Sequence, residues 1–418
     1  MVFSQNLNQT LNLSLSQYGL NDEDISSELA MFKDIRERVK SSKLNGSMPF
    51  LNLPEQTSDL NLIRTIADDF RSRFDRLVVF GVGGSSLGAR ALVALASVDP
   101  LSPAPIFLEA SDPLTFETVL GGISIEKTGF LVISKSGSTL ETVMQTLLVM
   151  ENAPVQNFIF ITQPGDNPLR MLAGSYGIPV YDHDPNLVGR FSALSLVGLI
   201  PAAYAGIDIE GLRCGARGTL EQFLIAKHPL DCAPAVGAAV SVAFARKGVT
   251  VDVIMPYADR LRAFALWYRQ LWAESLGKDG FGMTPVVAQG PADQHSQLQL
   301  YLDGPRDKLF NLISVDSLEA DSKITGDLSI SAGMPWLSGK SIANLNQALA
   351  KSTTETLIDH GRPVRSILLP TLNANVMGQL MMHFMLETIA AADMLGINAF
   401  DQPAVEFIKA SSFTKMGA

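Results

Sequence analysis

Short apolar runs in the first half of the chain each precede a turn and then a stretch with helical spacing, and this repeat admits few folds. The runs are residues 76–80 (RLVVF), 105–109 (PIFLE), 129–134 (GFLVIS) and 157–162 (NFIFIT). Residues 89–96, 115–120 and 140–150 between them read as helices. Val, Ile, Leu and Phe without polar alternation mark strands buried on both faces. Strands separated by helices pair in parallel, so the predicted fold is α/β with a doubly wound sheet. The pattern restarts later. Residues 249–255, 285–288, 309–315 and 366–369 read as strands, with a helix over residues 260–276. A second α/β unit beginning near residue 210 suits a chain of 418 residues. Ahead of the first strand, residues 21–43 are expected to form one amphipathic helix. Asp22 or Asp24 would cap it, and Ile25, Leu29, Phe32, Ile35 and Val39 form its apolar stripe.

Two turns in this repeat carry hydroxyls and glycines. Gly81-Val82-Gly83-Gly84-Ser85-Ser86-Leu87-Gly88 follows the first strand and opens a helix. Glycines let backbone N–H groups approach an anion there. Dinucleotide binding is the rival chemistry. Its GxGxxG pattern needs a glycine where Ser86 stands, although Glu109, 28 residues after Gly81, imitates the ribose-binding acid. This loop alone leaves both readings open.

The second turn favours phosphate. Ser134-Lys135-Ser136-Gly137-Ser138-Thr139 follows the 129–134 strand. Ser138 and Glu141 stand as S-x-x-E, a capping box for the next helix. Ser134, Ser136 and Thr139 remain as hydroxyl donors with Lys135 as a cation. That set suits a phosphate monoester and not a nicotinamide. Neither loop matches G-x-x-x-x-G-K-[ST], which removes the NTPase reading.

The second half offers separate acid, base and charge candidates. Gln270 and Glu274 lie four apart, on one face of their helix, and Gly277 ends it. His295 sits in a polar, loop-like stretch between Asp293 and Gln297, where either an acid/base role or plain solvation fits. His183, between two aspartates, is a weaker candidate of the same kind. Arg190 lies in an apolar segment, so it needs an anionic partner, either a structural carboxylate or a transient anion. Nothing local singles out Lys409.

Composition narrows the partners. Forty-two acids against 32 Lys and Arg give a net charge of −10. That argues against nucleic acid or an anionic membrane as partner, and requires that any anionic substrate be attracted locally. The two cysteines, Cys214 and Cys232, fit no metal spacing and are expected to be buried, reduced thiols. The N-terminus lacks a signal-peptide pattern, and residues 187–209 and 374–399 carry polar breaks that argue against membrane spans. The expectation is a cytoplasmic protein without metal.

Six segments together resemble the glucose-6-phosphate isomerase family. GVGGSSLG is similar to its first phosphate-side loop, SKSGSTLET to its SKSGTTxET loop, and VGRFSALSLVGLIP to its GGRFS segment. WYRQLWAESLGK is similar to its QLxxESxGK helix, DQHSQLQLYLDGP to its DQHSxxQL segment, and DQPAVEFIK to its DQPGVExxK terminus. They occur in family order between about residues 78 and 409.

The resemblance implies two αβα-sandwich sugar-isomerase domains with parallel sheets, plus helical N- and C-terminal segments. The boundaries expected are 1–50, 51–209, 210–372 and 373–418. It implies a homodimer with shared active sites, a phosphosugar substrate and no cofactor. Gly84, Ser85, Ser134, Lys135, Ser136 and Thr139 should hold the phosphate. Glu274 should move the proton between C2 and C1, and Arg190 should steady the enediolate. His295 from the partner subunit and Lys409 should open the ring, and Gln270 and Gln402 should line the pocket. Val188 and Ala404 replace family glycines and add bulk near the pocket, while Ser138 replaces a threonine. Val188 and Ala404 keep open another 6-substituted hexose as substrate. A non-catalytic sugar-phosphate sensor on the same fold is the further alternative, and it would not need Glu274, His295, Arg190 and Lys409, all of which are present.

Overall fold

The computed structural model describes residues 3–11, 15, 18–96, 104–109, 111–318 and 322–417, without the side chains of residues 9, 406, 407, 409 and 410. Its strands are β1 (Ser4–Asn6), β2 (Arg76–Phe80), β3 (Ile106–Leu108), β4 (Thr128–Ile133), β5 (Phe158–Thr162), β6 (Val180–Asp182), β7 (Val251–Pro256), β8 (Thr284–Val287), β9 (Lys308–Val315) and β10 (Val364–Leu369). They form two five-stranded sheets. One has the order β3-β2-β4-β5-β6 and is parallel throughout. The other has the order β1-β10-β9-β7-β8 and is parallel except for β1, which runs antiparallel along β10.

Side chains alternate across each sheet, and both faces are covered. On the first sheet Val78, Phe80, Phe130, Val132, Phe158 and Phe160 pack outward against Phe116, Val149 and Leu169. The intervening Leu77, Val79, Leu131, Ile133 and Ile161 face inward. Val253, Met255, Phe310 and Leu312 face outward from the second sheet, towards Tyr301 and Leu357. Ile254, Leu309, Ile313 and Ile367 enter the same inner core as the first sheet. The Ala374–Leu395 helix fills this shared core and is buried along nearly its whole length.

Several expectations are corrected. The stretch 21–43 forms two helices, Asp22–Leu29 and Phe32–Asn45. At the break Met31 N–H bonds to the Glu28 carbonyl at 3.3 Å, a tightened step that redirects the chain. Asn21 is the cap: its side chain accepts the Asp24 N–H, and Asp24 accepts the Asn21 N–H in return, both at 2.8 Å. Cys214 is exposed, and only Cys232 is buried. The short β1 and β6 are not anticipated by the sequence pattern. β1 is polar and becomes a strand only through its pairing with β10.

A buried polar network, unforeseen from sequence, lies on the inner face of the second sheet. Asp252, Asn311 and Arg365 come from neighbouring strands, and all are almost fully buried. Arg365 makes two 2.6 Å bonds to Glu387 and reaches Gln5 of β1. Asn311 Nδ2 donates to Asp252 Oδ1 at 2.5 Å, and the Tyr268 hydroxyl donates to Asp252 Oδ2. Burial pushes the Asp252 carboxyl up to about 6, from an ordinary 3.8, against the pull of the Tyr268 bond. An acid raised in this way binds more protons folded than unfolded between pH ~4 and ~6, so its contribution lowers stability as pH rises through that window. Asp252→Asn keeps the shape and one of the two accepted hydrogen bonds, and turns an N–H towards the other partner. It should remove that slope and add stability at pH 7, up to about 3 kcal/mol for a shift of about two units. Urea unfolding of both proteins at pH 4.5 and 7 checks this.

Candidate active site

The site lies beyond the carboxyl ends of β2, β4 and β5, where open α/β sheets present loops rather than packed side chains. After β2 the chain makes a turn at Gly83–Ser85 and enters the Leu87–Val93 helix. Gly84 is required by packing. A Cβ there would sit 2.4 Å from the Gly189 carbonyl carbon, so this loop rests directly on the Gly189–Phe191 turn. After β4, Gly137 takes φ +67°, and a Cβ would fall 1.9 Å from Asn167 Oδ1. Only glycine closes this turn.

The hydroxyls of the second loop bond to each other. Ser134 Oγ and Thr139 Oγ1 are 2.8 Å apart, and Ser138 Oγ donates to Ser136 Oγ at 3.1 Å. The expected Ser138–Glu141 capping box is therefore absent. The helix Leu140–Met150 has Thr139 at its cap position with no side-chain cap bond, because the Thr139 hydroxyl is committed to Ser134. Ser134 is itself buried, behind Thr139.

Arg190 joins this face to the second half of the chain. Its side chain is fully buried, and all its donors are used. Nε donates to Ser275 Oγ (2.8 Å). Nη1 donates to Glu274 Oε2 (3.1 Å) and Gln402 Oε1 (2.7 Å). Nη2 donates to the carbonyls of Ala399 (2.7 Å) and Asp401 (3.2 Å). Burial lowers its pKa and Glu274 opposes that, but a guanidinium stays charged. The carboxylate that pairs with Arg190 is Glu274. Gln270 Nε2 donates to Glu274 Oε1 at 2.9 Å, so both carboxylate oxygens are held while the group keeps about a third of its exposure. The helix Arg262–Leu276 presents both residues, with Trp267, Leu271 and Trp272 buried beneath. Lys278 follows this helix just past its C-terminal end. It bonds the Asn398 carbonyl and, at 2.9 Å, Asp401, which fixes the tail that carries Gln402.

Together these elements enclose a cleft of about 530 Å³. Gly84, Ser85, Lys135, Ser136, Thr139, Arg190, Gln270, Glu274 and Gln402 line it, as expected. The Lys135 ammonium has no hydrogen-bond or ion-pair partner among the described residues. Burial lowers its pKa, with Asp184 opposing. A half-buried cation facing a cleft without a counter-ion is a place for an anion. Glu274 supplies a carboxylate held from both sides, suited to proton transfer.

Other expected residues lie elsewhere. His295 is in a helical turn, Ala292–Ser296, rather than a loop; it is exposed and is not among the residues that line this chain's cleft. The side chain of Lys409 lies outside the described residues; its backbone is in the helix Pro403–Lys415. Val188 does line the cleft, whereas Ala404 is exposed and does not. His183 is buried against the backbone of Asp184 and is not in the cleft. Gln163 and Phe400 also line the cleft, and the sequence reading misses both. Gln163 directly follows β5, and the strand-end rule applied to every strand would find it.

The family description phosphoglucose isomerase matches residues 70–414. The chain is 37% identical to a glucose-6-phosphate isomerase of Rubrobacter xylanophilus over 88% of this chain and 89% of that one. It is 34% identical to a probable glucose-6-phosphate isomerase of Methanococcus maripaludis over 95% and 90% of the two chains. Among solved structures, a hypothetical protein from Thermus thermophilus superposes with a TM-score of 0.87 at 29% identity, over the whole of both chains. A glucose-6-phosphate isomerase from Chlamydia trachomatis shares the fold, with a TM-score of 0.80 at 19% identity over 100% of this chain and 88% of that one.

Proposed function

This chain belongs to the phosphoglucose isomerase family, and from that premise and the shape of its cleft we infer how it interconverts glucose 6-phosphate and fructose 6-phosphate. The observation that carries the reading is a single cleft holding an unpaired cation among hydroxyls and a carboxylate fixed by two donors.

The phosphate binds between the two loops. It meets the Gly84–Ser85 turn, the hydroxyls of Ser136 and Thr139, and the Lys135 ammonium. Ser134 acts through Thr139. His295, from a partner subunit, and Lys409 open the sugar ring by proton transfer at the ring oxygen and O1. Glu274 then takes the proton from C2 and returns it to C1. One carboxylate reaches both carbons because they are adjacent. The intermediate is a cis-enediolate, and the Arg190 guanidinium stabilises its charge from a fixed position, without reorganisation. Gln270 and Gln402 keep Glu274 and Arg190 in place. The domain boundaries we assign are 1–50, 51–209, 210–372 and 373–418, and we place the enzyme in the cytoplasm as a homodimer. Among the described residues, no helix is long and apolar enough to cross a membrane.

A coupled assay tests the activity. Fructose 6-phosphate is supplied, and glucose 6-phosphate is detected through a dehydrogenase, with EDTA in the isomerase step. Rapid turnover is expected. A folded sample without turnover on this pair would move the assignment to another 6-substituted hexose, a reading that Val188 in the cleft wall favours over the sensor.

The shared site has its own test, because His295 is not among the residues that line its own cleft. Glu274→Ala and His295→Ala subunits should each be inactive alone. Mixed and allowed to exchange, they should recover activity up to about a quarter of wild type, since half the dimers are hybrids with one intact site of two. No recovery after demonstrated exchange would place each complete site within one chain.

A further inference from the structure

A second cavity, of about 350 Å³, lies apart from the cleft, between the turns around Pro49–Glu55 and the segment that follows β6. Asn52, Gln56, Asp59, His183, Asn186 and Ser195 are among its walls. His183 is 4% exposed, and its side-chain hydrogen bond among the described residues runs from Nδ1 to the Asp184 carbonyl at 2.9 Å. A carbonyl can only accept, so Nδ1 carries the proton and Nε2 of the neutral ring is a bare lone pair. Nothing in the described protein meets that lone pair, although the ring lines the cavity. The side-chain amides of Gln56 and Asn186 have no hydrogen-bond partner among the described residues either.

Charge narrows the ligand. Asp59 is paired with Arg213 at 2.5 and 2.8 Å, and Asp182 is paired with Arg170. Asp184 makes no ion pair among the described residues; it stands exposed at the rim and accepts the Asn186 N–H at 2.8 Å. Two of the three carboxylates thus have their counter-charge and the third is exposed to water, which leaves no unpaired carboxylate buried inside the cavity for a cationic ligand. No three His, Cys, Asp or Glu side chains converge as a metal would need, among the described residues. What remains is a neutral wall rich in acceptors, with two free amides, at the small end of the volume range for ligand pockets.

We propose that this cavity is a binding site for a neutral polyol of hexose size, with one hydroxyl donating to His183 Nε2 and others meeting the Gln56 and Asn186 amides. The site is separate from the cleft and does not depend on the activity assigned there.

The test uses the full-length protein with ¹⁵N-labelled histidine, titrated with glucitol and observed by NMR. The His183 Nε2 resonance is expected to shift saturably, with half-saturation near ~1 mM, a strength that a few neutral hydrogen bonds sustain. The shift should persist when the cleft is filled with fructose 6-phosphate. No shift up to ~100 mM, or a shift abolished by filling the cleft, would overturn the site. An aminated polyol binding more than tenfold tighter would overturn the assignment to a neutral ligand. His183→Phe should abolish glucitol binding by calorimetry, and unchanged binding to that variant would also overturn it. Since the titration is read on the unmodified protein, a folding defect in the variant leaves the first result decisive.

Discussion

Glu274→Gln should lower kcat by about 10²- to 10⁴-fold, the range for losing a positioned acid/base group, while KM changes little. The substitution keeps the shape of the side chain and removes its ability to take a proton. Wild-type Glu274 accepts one bond from Arg190 and one from Gln270. A glutamine satisfies one of these donors and turns an N–H towards the other. That costs some local order but leaves the phosphate loops untouched. Exchange of the C2 hydrogen with solvent deuterium, followed by NMR, should fall in step with kcat, because both require the same proton abstraction. Near-normal kcat with near-normal exchange would remove Glu274 as the base and send the search to another group in the cleft.

Arg365→Leu should destabilise the fold by about 3–5 kcal/mol, the usual cost of stripping one partner from a buried ion pair. Both side chains of this pair are completely buried, and Glu387 accepts from Arg365 through both oxygens at 2.6 Å. Burial alone would raise the Glu387 pKa, but Arg365 and His383 outweigh it and hold the carboxyl below its ordinary value. Without Arg365 that carboxylate must take a proton or stay charged in an apolar interior, and Gln5 and Asn311 lose a donor as well. The double variant Arg365→Met/Glu387→Met should recover most of the loss, since two apolar side chains of similar length leave no stranded charge. Urea unfolding of wild type, both singles and the double gives the coupling directly. A single variant within about 0.5 kcal/mol of wild type, which is the scale of ordinary surface substitutions, would mean that the pair contributes nothing.

The contrast between these two sites explains what is legible in the sequence. Strands β2, β4 and β5 are dominated by continuous apolar runs, and β7, β9 and β10 by runs broken at a few polar positions; each is readable to within a few residues, because burial on both faces leaves little polar alternation to confuse. The cleft loops stand out because glycines and hydroxyls after such strands have few other uses. Glu274 and Gln270 pair from their spacing alone. Arg190 is conspicuous as a buried charge, but its partners lie 84 and 212 residues away, a distance that no local pattern spans. The Arg365 network is invisible for the same reason. Each member looks like an isolated polar residue in its own strand or helix, and only sheet register brings them together. β1 escapes notice because an edge strand needs no apolar face of its own. The 21–43 stretch reads as one helix because its apolar stripe continues across the break, which a helical period does not register.

The site also imposes an order on synthesis. Arg190 is made before the halfway point of the chain, yet three of its partners are the Ala399 and Asp401 carbonyls and the Gln402 side chain. A nascent chain stopped before that tail leaves the ribosome with both phosphate loops and Glu274 in place but with the guanidinium short of these acceptors. Competence therefore waits until residues 399–402 are made, and a chain cut short ahead of them should keep its core and still not work.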